Sequence, residues 1–116
     1  KNIKFTFTPH LTPMFRGILS TIYVDVINAI NIKKINSELI KFYKNDKFIK
    51  ILPINSLIST NDVINTNYCY LSVCKTAYKN KFIILSAIDN LIKGGAGQAV
   101  QNLNYYFGYN VKKGLM

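Results

Sequence analysis

The sequence predicts an α+β domain: a mostly antiparallel sheet with helices on one face. Three observations carry this. Strand-like runs outnumber helical ones. Tyr68–Thr76 and Phe82–Ile88 flank a short turn, Tyr78-Lys79-Asn80-Lys81, which reads as an antiparallel hairpin. The second of these runs is apolar on both faces, as a central, covered strand should be.

The elements follow in order. Ile3–Thr8 alternates apolar and polar residues and reads as a strand stopped by Pro9. Residues His10–Arg16, with Pro13 inside, read as a loop. Ile18–Ile27 is rich in β-branched residues and reads as a long strand. Asn36-Ser37-Glu38 offers polar capping side chains for a helix whose inner face would be Leu39, Ile40 and Tyr43. Phe48–Leu52 is a short strand before Pro53, and the Asn/Ser/Thr-rich stretch Ile54–Asn67 is a loop. After the hairpin comes a polar pair, Asp89-Asn90, and a glycine-rich turn. Ala96, Ala99, Val100, Leu103 and Phe107 then recur as one helical stripe, with Gly108 placed for a C-terminal cap.

Length and composition narrow the class. The 116 residues suffice for one core-bearing domain, and 49% hydrophobic with 13% aromatic content is globular, not disordered. Starting at Lys1 and not Met points to a piece of a longer chain. No apolar run reaches the 18 or so residues of a membrane span. The alternating start lacks a signal-peptide core, so a cytoplasmic protein with no membrane contact is expected.

The net charge of +10 admits two readings. One is a nucleic-acid or membrane-surface patch. The other is compositional drift from AT-rich codons, since Lys supplies fourteen of the fifteen basic residues and Asn, Ile and Tyr are abundant too. The lysines are scattered and no aromatic–basic RNA-binding motif appears, so no nucleic-acid partner is expected. Against this background Arg16 stands out. Its planar fork can hold carboxylate or phosphate as Lys cannot. It could equally be a leftover surface residue. Cys69 and Cys74 are five apart, on opposite faces of one strand. They cannot bridge each other there, and no His or C-x-x-C pattern suggests a metal. Buried free thiols are expected.

The strand-to-helix joint also has two readings. A strand that ends in glycines before a helix suits an anion or nucleotide. Yet Gly95-Ala96-Gly97 with Val100 falls short of the dinucleotide fingerprint, which needs another parallel strand and an acid some 20 residues on. Here Lys112 and Lys113 follow instead. Small residues at such a joint also serve close packing alone.

Asp89-Asn90-Leu91-Ile92-Lys93-Gly94-Gly95-Ala96-Gly97-Gln98-Ala99-Val100-Gln101-Asn102 closely resembles the C-terminal signature of the N-acetyl-gamma-glutamyl-phosphate reductase family. Phe7-Thr8-Pro9-His10-Leu11, with Pro13-Met14-Phe15-Arg16-Gly17-Ile18-Leu19-Ser20-Thr21-Ile22-Tyr23, resembles a second signature of that family. The resemblance covers nearly the whole chain but well under half of the enzyme. It implies the dimerisation and substrate region of the aspartate-semialdehyde dehydrogenase superfamily, related in architecture to the glyceraldehyde-phosphate dehydrogenase catalytic domain. Residues 1–89 would form that domain. Residues 90–116, the glycine turn and last helix, would pack on an N-terminal NADP-binding domain that this sequence lacks.

The family reduces an acyl phosphate, N-acetyl-glutamyl phosphate, to the semialdehyde with NADPH in arginine biosynthesis. A cysteine thiolate attacks the acyl carbon, phosphate leaves, and hydride reduces the thioester. That cysteine and the histidine base belong to motifs upstream of this stretch. Neither Cys69 nor Cys74 is the nucleophile, His10 is not the base, and no catalytic residue is expected here. Arg16 would hold a substrate phosphate or carboxylate. His10 would either touch the substrate or only hold the proline-rich turn. Asn90 would face the nicotinamide carboxamide, or only cap the turn, and Gly94 and Gly95 would let the backbone pass close to the cofactor. A homodimer through the open sheet face is expected, or a tetramer in the full enzyme. The alternative to an enzyme part is a non-catalytic dimerisation module or gene remnant.

Overall fold

The computed structural model of the chain describes residues 3–27 and 30–115; Lys1, Asn2, Asn28, Ala29 and Met116 lie outside them. Four strands form one sheet: β1 (Ile18–Asp25), β2 (Ile49–Ile51), β3 (Cys69–Lys75) and β4 (Lys81–Ile88), in the order β1-β4-β3-β2. The expected hairpin is present as β3–β4, and β4 is the central strand, pairing antiparallel with both β1 and β3. The α+β class therefore holds. The sheet is mixed, because β2 pairs parallel to β3 through Ile49↔Cys69 and Ile51↔Leu71. The long excursion between these two strands lets the chain return in the same direction.

Residues Ile3–Thr8 do not form the expected strand. They have no regular secondary structure and are exposed, with Ile3, Phe5 and Phe7 each more than three-quarters accessible. A strand needs a ladder partner for its backbone groups, and none among the described residues lies beside this arm.

The first helix, α1 (Ile32–Phe42), starts four residues before the expected Asn36. Asn31 is its cap, and its side chain accepts from Lys34 N at 2.9 Å. Ser37 and Glu38 lie mid-helix, where Glu38 pairs with Lys34 at 2.7 Å. The inner face is Ile32, Ile35 and Leu39. Of the residues expected there, Ile40 is half exposed and Tyr43 is the C-cap. This face packs on Val73, Phe82 and Val24, on one side of the sheet.

The opposite side is covered by the loop between β2 and β3. Ile58 and Val63 enter it to meet Ala87, Leu85 and Tyr70. A capping box joins Ser59 and Asp62 and fixes a short 3-10 turn, Thr60–Asp62, inside the loop. Its buried residues, Val63 and Asn67 among them, are more than the polar composition suggested.

β4 ends at Ile88. A wide π-type turn (Ile92–Ala96), kinked at Gly95, leads into α2 (Gly97–Tyr106). The expected cap is present: Gly108 takes φ +67° and Tyr109 N returns to Asn104 O at 2.8 Å. The apolar stripe of α2 does not face the sheet. Val100, Leu103 and Phe107 are exposed, and the buried residues of the helix are Gly97 and Asn104. Asn104 donates to the carbonyls of Val111 and Lys113 and so pins the C-terminal tail. Among the described residues, no helix is long and apolar enough to cross a membrane.

Candidate functional site

The two signature stretches meet in space. Gly17 N donates to Asn90 Oδ1 at 2.8 Å, across 73 residues of sequence. Arg16 Nε lies 2.8 Å from Asp89 Oδ2, and Arg16 Nη1 donates to Asn65 Oδ1 at 3.1 Å. β4 carries Asp89 and Asn90 to this point, and β1 begins just after Gly17, beside the end of β4.

Asp89 is the centre of the cluster and has no solvent-accessible surface. Its Oδ1 accepts from Leu91 N and Ile92 N, both at 2.9 Å, and so caps the turn. Its Oδ2 accepts from Asn65 N at 2.8 Å. Burial pushes the Asp89 carboxyl up. The amides of Asn65, Ile92 and Leu91, with the Arg16 guanidinium, outweigh burial and hold it below the ordinary value. Asp89 is thus a carboxylate in an environment built for its charge.

Gly17 sits at φ +107°, where a side chain is strained, and an added Cβ would lie 2.6 Å from Thr60 Cβ. Gly97 is needed for space: an added Cβ would lie 2.4 Å from Asn67 Oδ1 and 2.6 Å from Ile92 Cγ2. Behind it, Gln101 Oε1 accepts from Asn67 Nδ2 at 2.9 Å and from Lys93 Nζ at 2.8 Å. Burial pushes the Lys93 ammonium down from its ordinary value, against the opposing pull of Cys69 and Asp46.

The site residues expected from sequence are therefore divided. Arg16 and Asn90 come together; Gly94 and Gly95 lie in the adjoining turn, with Gly94 N bonded to Asp89 O at 2.8 Å. His10 stands apart on the exposed arm, its Nδ1 3.2 Å from Thr8 O. The sequence reading missed Asp89 as the partner of Arg16, and missed Asn65 and Gly17; Gly97 answers to its close-packing alternative for the joint. The signal for Asn65 is indirect: it adopts φ +63°, a conformation Asn tolerates better than most residues. Cys69 and Cys74 are free and only half buried, less covered than expected. Cys69 Sγ lies 3.6 Å from Ser86 Oγ and Cys74 Sγ 3.8 Å from Ser56 O. Neither has a basic partner at hydrogen-bond distance among the described residues. No group of three His, Cys, Asp or Glu side chains able to hold a metal occurs among the described residues. An apolar groove along α1, lined by Ile30, Ile35, Leu39 and Phe42, shares no residue with the Asp89 cluster.

What the cluster offers chemically is donors. Arg16 Nη2 makes no hydrogen bond among the described residues, and the side chain is 19% exposed. Asn90 has committed its oxygen to Gly17 and keeps its amide nitrogen.

Residues 1–90 match the family model of the semialdehyde dehydrogenase dimerisation domain. Over 115 residues the chain is 46% identical to an N-acetyl-gamma-glutamyl-phosphate reductase of Clostridium kluyveri, covering 99% of this chain and 33% of that protein. The reductase of the same name from Vesicomyosocius okutanii is 50% identical over 115 residues, covering 99% and 32%. That of Desulforamulus reducens is 47% identical over 106 residues, covering 91% and 31%. The chain thus spans about a third of the length of the curated relatives it matches.

Proposed function

The chain belongs to the semialdehyde dehydrogenase dimerisation-domain family, and from that premise we propose that it is the C-terminal region of a cytoplasmic N-acetyl-gamma-glutamyl-phosphate reductase. The observation that carries this is the near-complete coverage of the chain by relatives of that name. The reaction would be reduction of N-acetyl-glutamyl phosphate to the semialdehyde with NADPH in arginine biosynthesis. The cofactor, when bound, supplies the hydride. The thiolate that carries the acyl group would come from a region outside this chain.

This chain's own residues supply positioning. Arg16 holds an oxyanion of the substrate through its unbonded Nη2. Asn90 Nδ2 donates to the cofactor's carboxamide oxygen, and its fit rests on the Gly17 bond that fixes the side chain with its nitrogen unspent. Gly94 and Gly95, both exposed, let the backbone approach the cofactor. His10, on the arm, is a substrate-side contact. The exposed Val100, Leu103 and Phe107 of α2 cover the NADP-binding domain, so residues 90–116 work with that domain and residues 1–89 with the partner subunit. β1 keeps Ile18, Leu19, Ile22 and Tyr23 exposed, an apolar area suited to a second copy.

The test is a chimera in which this chain replaces the matching third of the Clostridium kluyveri reductase. NADPH oxidation dependent on the acyl phosphate, within tenfold of the parent enzyme, is the expected result. A folded, dimeric chimera without turnover would assign the chain to the non-catalytic dimerisation module instead.

A further inference from the structure

We infer that Asp89 is a positioning residue whose carboxylate aims the Arg16 guanidinium at the substrate's oxyanion. The inference rests on the function proposed above and deepens it.

The argument starts from what the turn needs. Leu91 N and Ile92 N require one acceptor oxygen near the end of β4. A neutral Asn, Ser or Thr side chain supplies such an acceptor, and burying a full charge for that purpose alone is unfavourable. The second oxygen explains the charge. Oδ2 takes Asn65 N and faces Arg16 Nε, while Asn65 Oδ1 takes Arg16 Nη1. Asn65 is thus bonded at both ends, and the guanidinium is held along one side by a hydrogen bond from Nη1 to Asn65 and by an ion pair with Asp89, in which the Nε–H is not aligned on the carboxylate oxygen. Arg16 needs that grip. It follows an arm whose residues from Ile3 to Phe15 are all exposed, so none of these described residues packs to fix it. The Gly17–Asn90 bond, one residue along, is a second tether on the same short segment. The net product is an Arg with one face locked and Nη2 unspent. Fixing a donor before the ligand arrives removes an ordering cost from binding.

The oxyanion could be the phosphoryl group or the substrate's own carboxylate, and the reverse reaction separates them. Run backwards, the chimera takes inorganic phosphate and the semialdehyde, which bears the carboxylate, as separate substrates. Asp89→Asn keeps an acceptor for Leu91 and Ile92 but removes the charge facing Arg16. It should raise one of these two KM values about tenfold, and Arg16→Lys should raise the same one by a similar factor. KM for NADP should stay within about twofold. The double variant should be no worse than the worse single one, because the two residues act as a unit.

Three results would overturn the inference. One is a lowered Tm for Asp89→Asn with both oxyanion KM values unchanged. Another is a double-variant loss equal to the product of the single losses. The third applies to an inactive chimera, which refutes the proposed function itself and leaves the positioning to be decided on the 116-residue chain. There the Arg16 Nε should show a high NMR order parameter, the sign of a held guanidinium, that Asp89→Asn lowers. An order parameter unchanged in the variant would end the claim.

Discussion

Residues Ile3–Phe15 and Asp89–Gly97 each overlap one of the two signatures of the chain, and they are joined through Arg16 and Gly17. The later stretch is polar and glycine-rich, yet it is ordered by its own bonds: Asp89 caps it, Gly94 N returns to Asp89 O, and Ala96 N to Leu91 O. The earlier stretch is apolar and alternating, yet Ile3, Phe5, Phe7, Leu11 and Phe15 are all exposed. Apolar content alone therefore does not predict which of two segments is held. A capped turn closes its hydrogen bonds within a few residues, whereas a strand must borrow a partner's backbone and face. The arm is competent for pairing; the turn is already satisfied.

The contrast can be broken most directly at Asp89. Asp89→Ala leaves the Arg16 charge without its partner and three amides without an acceptor. A loss of about 3 kcal/mol is expected, as for breaking a buried ion pair, read by urea denaturation. Gly97→Ala comes next. Its methyl group would run into Asn67 Oδ1 and Ile92 Cγ2, and overpacking of this kind costs about 2 kcal/mol, visible as a lower Tm. A smaller effect lies in pH. The folded pKa of Asp89 is lowered, so its stabilisation is present above the unfolded value near 3.8 and is lost as pH falls through the folded value. Tm measured downward from pH 5 should drop, and in Asp89→Asn this part of the drop should be missing. The smallest effect belongs to the arm. Phe5→Ser and Phe7→Ser should change stability by no more than about 0.5 kcal/mol, since nothing among the described residues covers these rings. A large loss there would show that the arm pairs in solution, and the contrast between the two stretches would fall.

The sequence by itself determined what is local. The β3–β4 hairpin, the β-branched run of β1, the doubly apolar β4 and the Gly108 cap each depend on residues close together in the chain, so spacing and residue type sufficed. The signature residues were also legible as a pattern, and Arg16 and Asn90 did prove to share one cluster. Only the tertiary structure decided the rest. Local propensity placed the start of α1 at Asn36, whereas Asn31 caps it, because the earlier start seats Ile32 against Val73 and Phe82. It could not make β2 parallel, nor bury Val63 and Asn67 in a polar loop, because both follow from where that loop returns to the sheet. It could not pair Arg16 with Asp89. A charge just after an exposed arm and a charge at a strand end carry no mark of each other until the β1–β4 register brings Ile18 opposite Ile88. Hydrogen bonds between neighbours are written in the chain, and an ion pair across 73 residues exists only once the sheet has closed.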